Sequence, residues 1–167
     1  MQRFGAVLVF VLLASCSPKP ASKPQVEFNT KIPINEVMAH VMDPAAYAFW
    51  SGSGADYTVK GKKDLSPKTE AEWKHVEDGA ATLVVASNAL LLPGYAREPS
   101  NTWNSHVREV ASIGIRAKAA AERKDVAAIS DISDELDRAC EACHVQFVPS
   151  TKGQKPPGAK PPAVPGK

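Results

Sequence analysis

The chain has 167 residues, a formal net charge of +2 and 44% hydrophobic residues, which suits one domain. The Lys excess sits largely at the end, where residues 149–167 hold four Lys and no acid, so the charge gives no basis for a nucleic-acid partner. Met1-Gln2-Arg3, an uncharged and mostly apolar run from Phe4 to Ala14, and then Ser15-Cys16 follow the plan of a secretory signal. That run is short of the roughly 20 apolar residues a bilayer span needs. So is the next most apolar stretch, Leu83 to Leu92, which Ser87 and Asn88 interrupt.

Leu13-Ala14-Ser15-Cys16 resembles the lipobox of bacterial lipoproteins, whose Cys is acylated and becomes the new N-terminus. The resemblance implies a signal over 1–15, lipidation of Cys16 and a chain tethered by acyl groups alone. With Ser17 and not Asp after that Cys, it points to the outer membrane of the cell envelope, with the domain facing the periplasm. An ordinary cleaved signal with an incidental Cys is the alternative. Residues 16–31, with Pro18, Pro20, Pro24 and scattered Lys and Ser, have the composition of a spacer. Residues 150–167 form a disordered Pro/Lys-rich tail, solvated or serving as a docking ligand.

Between these ends, 32–149 is the folded domain. Ile34, Val37, Met38 and Val41 make one helical stripe, and Asp43-Pro44 either caps a continuation through Tyr47 and Trp50 or kinks a single helix. Ala55 to Val59 hints at an extended piece. Ser66-Pro67 opens a second helix with Trp73, Val76, Ala80, Leu83, Ser87 and Leu90 at steps of three and four, until Pro93-Gly94 stops it. A third starts at Ser100 with Trp103, His106, Val110, Ile113, Ala117 and Ala120, and runs out near Lys124. Asp125 caps a fourth, with Ile129, Ile132, Leu136, Ala139, Cys143 and Phe147 on one face. The expectation is an all-α, antiparallel four-helix bundle. Ala80, Ala117, Ala120 and Ala139 on its core positions leave room for a prosthetic group.

Cys140-Glu141-Ala142-Cys143-His144 is the attachment motif of c-type haem. On a helix, positions i, i+3 and i+4 share a face, so two thiols reach the haem vinyl groups while the next imidazole meets iron. A disulfide between the thiols gives no reason for the His. A zinc site lacks a fourth ligand, since Cys16 is spoken for by lipidation and His40, His75 and His106 have no paired spacing.

A single such motif near the end of the last of four helices looks like the class II cytochromes c, the cytochrome c′ family and its low-spin relatives. Glu36-Val-Met-Ala-His-Val-Met-Asp-Pro44, followed by Trp50, is similar to the first helices of lipoprotein members. The resemblance spans roughly Pro33 to Pro149. It implies one covalent haem c, thioethers from Cys140 and Cys143, His144 as proximal iron ligand, and a first helix over the distal face. There Met38 is the first candidate ligand and Met42 the second; His40 is offset from both, and an apolar distal face leaves iron open. His106 is either a second axial imidazole or a hydrogen-bonded boundary residue, and His75 reads as solvated. Trp50, Trp73 and Trp103 pack on porphyrin or plain core, and Arg138 meets a propionate or solvent.

The expected function is non-enzymatic electron transfer with redox partner proteins, by a membrane-tethered carrier. The alternative is gas binding, nitric oxide or carbon monoxide, at an open or displaceable distal site. A zinc or interaction domain that docks through its tail is the third. Homodimers are common in the resembling family, though no surface stripe here requires one.

Overall fold

The computed structural model describes residues 27–148. What is expected of residues 1–26, Cys16 included, and of 149–167 lies outside them. The described residues are mostly helical, with one two-stranded ribbon, which agrees with an all-α domain.

The first helical run joins α1 (Ile34–Val37), a π turn (Met38–Met42) and α2 (Asp43–Trp50) without a break. The cause of the π turn is Pro44. In a regular α-helix its ring would meet the His40 carbonyl and it has no N–H to offer that oxygen. The wider turn relieves this, with the Asp43 N–H bonded to the Met38 carbonyl five residues back. The added residue changes which side chains face inward. Val37 and Met42 are buried, Ile34 and Met38 pack half-buried against the core, and Val41, expected on the stripe, is 38% exposed.

After α2 the chain forms an antiparallel ribbon, β1 (Ala55–Thr58) and β2 (Gly61–Asp64), in register from Ala55–Asp64 to Thr58–Gly61. Gly61, at φ +119°, takes a backbone conformation that side chains disfavour. Helix α3 (Glu70–Ala89) begins three residues beyond Pro67. The Thr69 Oγ1 accepts the Glu72 N–H at 3.2 Å, while the Glu72 carboxylate accepts the N–H groups of Thr69 at 2.9 Å and Lys68 at 2.6 Å. This reciprocal capping box prevails over Ser66-Pro67. Ser66 instead donates its hydroxyl to Asp64 at 2.7 Å.

Helix α4 (Ser100–Glu122) is followed by a tight turn with Lys124 at φ 56°, and α5 (Val126–Phe147) starts where Asp125 accepts the Ala128 N–H at 3.0 Å. Helices adjacent in sequence pack together: α2 on α3, α3 on α4 and α4 on α5, while α2 also meets α5. Phe49, Val76, Leu83, Ile129 and Leu136 are fully buried at their centre. Each such side chain contributes on the order of 2 kcal/mol through water release.

Small core residues bring helices together at Gly79 and Gly114. A methyl built on Gly79 would stand 2.6 Å from the Ala45 oxygen and 2.8 Å from the Phe49 nitrogen. One on Gly114 would stand 2.8 Å from Val84 Cγ2 and 3.3 Å from the Ala80 oxygen. The backbones of α2 and α4 thus lie almost directly on α3; Ala80, Ala117 and Ala120 are fully buried, while Ala139 is buried at the edge of a groove of about 410 Å³ between α4 and α5.

Candidate functional site

The last turns of α5 carry the chemistry. Its core stripe runs Ile129, Ile132, Leu136, Ala139, and continues through the half-buried Cys143 and Phe147. Cys140 and His144, both half-buried, lie along one flank of that stripe, a helical turn apart. Arg138 is exposed on the other flank, in a polar groove of about 410 Å³ lined also by Glu109, Arg116 and Glu135. The α5 helix therefore separates Arg138 from the Cys140 flank.

Both thiols are free. Burial, assisted by the charge of Asp137, by Cys143 and by Asp43, pushes the Cys140 thiol up to about 12. Burial also raises Cys143. Burial thus favours the neutral form of both thiols. Among the described residues no group of three or more His, Cys, Asp and Glu is gathered to hold a metal ion.

Asp43, just after the π turn, comes near enough to Cys140 for its charge to add to the effect of burial, and α2 meets α5. The π turn itself rests on α3, and Met38, Met42, Cys140 and Cys143 all pack in or against the same core. Met42 is 8% exposed and Met38 half-buried, while His40 is exposed.

Aromatic groups close the end of this region. Trp103, on α4, donates its indole N–H to the Leu90 carbonyl at 2.9 Å and meets Phe147 edge to face, with centroids 5.0 Å apart. The Tyr95 hydroxyl donates to the Ile32 carbonyl at 2.9 Å, tying the chain before α1 to the segment after α3. His106 is half-buried, with Nε2 3.2 Å from Gln146 Oε1 and its ring beside Phe147, so Val107 takes the buried position on the stripe. This contact agrees with the hydrogen-bonded boundary reading of it. Trp73 is buried, Trp50 is half-buried with its ring against Tyr47, and His75 is exposed.

Sequence periodicity missed Asp43 as a neighbour of Cys140, Gln146 as a partner of His106, and the closeness of Gly79 to α2. Ser87 was legible as the one polar residue on the α3 stripe; it is fully buried. No helix among the described residues is long and apolar enough to cross a membrane. No family model, curated protein or solved structure matches the chain.

Proposed function

We propose that this chain is a monohaem c-type cytochrome, an antiparallel four-helix bundle that carries single electrons on the periplasmic side of the envelope and is held to the membrane by acylated Cys16. The observation that carries the proposal is the disposition of the motif. Cys140, Cys143 and His144 follow one another at steps of three and one near the end of α5, half-buried and with both thiols free.

The donor set fits the group. Neutral thiols add S–H across a vinyl bond to give thioethers, and no fourth ligand of zinc type is required. When bound, haem supplies a one-electron couple. Cys140 and Cys143 fix it to the chain, and His144 holds the iron on the proximal side. Trp103, Phe147 and the half-buried aliphatic residues around them keep water from that end of the fold.

Met38 is the first candidate for the distal ligand: it lies on the first helical run, half-buried and packed against the same core as Cys140 and Cys143. Met42, more deeply buried, is the second candidate. Gas binding is the second reading, favoured by the partial exposure of Met38, since a ligand so placed is displaceable.

Carbon monoxide added to the reduced protein separates the two. A carrier closed by Met38 stays low-spin and binds slowly, and Met38→Ala gives a high-spin ferrous spectrum with fast binding, whereas Met42→Ala does not. Fast binding in the wild type selects the gas-binding reading.

A further inference from the structure

Three buried polar atoms among the described residues lack a hydrogen-bond partner: Ser87 Oγ, His106 Nδ1 and Ser133 Oγ. Of the three residues only Ser87 is fully buried. A helical hydroxyl normally satisfies itself on the carbonyl four residues back. Thr82, on the same helix, does so, donating to the Asp78 oxygen at 2.7 Å. Ser87 does not, and an unsatisfied buried hydroxyl costs on the order of 1–3 kcal/mol.

Its level in the fold gives the cost a purpose. Gly79 touches Ala45 and Phe49 of α2. Ser87 lies two turns further along α3, about 12 Å. The first helical run, followed back from Ala45 and Phe49 by the same length, reaches its π turn of Met38–Met42, and that turn packs on α3. Both candidate axial thioethers sit on that turn, and a thioether sulfur accepts a hydrogen bond, weakly.

We propose that Ser87 is a positioning residue whose hydroxyl, without a partner in this structure, comes to donate a hydrogen bond to the axial Met sulfur in the haem-loaded protein, a step that rests on the haem reading above. Donation draws electron density from the sulfur, weakens it as a donor to ferric iron and so favours the reduced state. Ser87→Ala then shifts the ferric-to-ferrous ratio toward ferric about fivefold at a fixed solution potential, the size of one net hydrogen bond. Ser87→Thr keeps the hydroxyl and restores the ratio.

The test pairs spectroelectrochemistry of the haem-loaded Ser87 variants with urea unfolding of the haem-free chain. Support consists of the shift in Ser87→Ala, its rescue in Ser87→Thr, and haem-free Ser87→Ala no less stable than wild type. An unchanged potential overturns the proposal. So does a loss of haem-free stability, because it means the hydroxyl already has a partner in the fold. A wild type without the near-infrared charge-transfer band of Met-ligated ferric iron overturns it too, while covalently retained haem in that same sample leaves the cytochrome reading standing.

Discussion

Replacing Gly79 with Ala sets two effects of opposite sign against each other. Within a helix the substitution favours folding by ~1 kcal/mol, because Ala loses less backbone entropy than Gly. Against this, the new methyl would stand 2.6 Å from the Ala45 oxygen and 2.8 Å from the Phe49 nitrogen, where ordinary contact begins at 3.4 Å. Both atoms are backbone, so no rotamer change relieves them and α2 has to retreat from α3. Overpacking of this kind costs ~1–3 kcal/mol, and the contacts around Phe49 open as well, forfeiting part of their dispersion. The retreat therefore wins, by ~1–2 kcal/mol, or about 4–8 °C in Tm for a domain of this size. Gly114→Ala meets chiefly Val84 Cγ2, the end of a side chain, with the Ala80 oxygen at 3.3 Å, and is expected near neutral. Thermal unfolding of the haem-free chain by far-ultraviolet circular dichroism measures both. A higher Tm for Gly79→Ala, or a larger loss for Gly114→Ala than for Gly79→Ala, would refute the close contact of α2 with α3.

The Cys140 thiol has a raised pKa, so the stability it confers is complete below its unfolded value and lost as pH climbs toward about 12. In the haem-free chain the advantage of wild type over Cys140→Ala in urea should shrink between about pH 9 and pH 12. In the haem-loaded protein, where the sulfur is a thioether, no such loss is expected. Thr69→Ala removes the α3 cap and should cost ~1 kcal/mol in denaturant unfolding. Glu72, whose carboxyl the Lys68 and Thr69 N–H groups hold below its ordinary value, contributes stability present above its unfolded pKa and lost as pH falls through the folded one. Glu72→Gln should therefore flatten the acid limb of the wild-type stability curve, and an unaltered limb would discount the capping box.

Periodicity made α3 and α5 legible because large aliphatic side chains anchor their buried faces: Val76, Leu83, Ile129 and Leu136 lie at helical spacing and are fully buried. Asp125 was readable as a cap for the same local reason. The π turn was not, since regular 3.6-residue spacing carries no sign of the clash that Pro44 would cause, and one added residue exchanged Val41 for Met42. At the start of α3 two sets of signals competed, and Thr69 with Glu72 prevailed by satisfying backbone donors that Ser66-Pro67 leaves open. Small residues at Gly79, Ala80 and Gly114 are ambiguous in sequence, because the same pattern allows a cavity or a close approach; only the positions of α2 and α4 decide. Of the site, Cys140, Cys143 and His144 were legible from spacing alone. Asp43 beside Cys140 depends on how α2 meets α5, which spacing along one helix does not encode.

Covalent retention of haem tests the central proposal most directly. The full chain, exported in a host that attaches haem c, is denatured and extracted with acidified organic solvent, and the absorption of the protein and solvent phases is compared. Haem that stays with the chain in the wild type, and leaves it in the Cys140→Ala, Cys143→Ala double variant, is the result the account predicts. Haem that passes wholly into the solvent from the wild type, or a chain that never acquires it, contradicts the account.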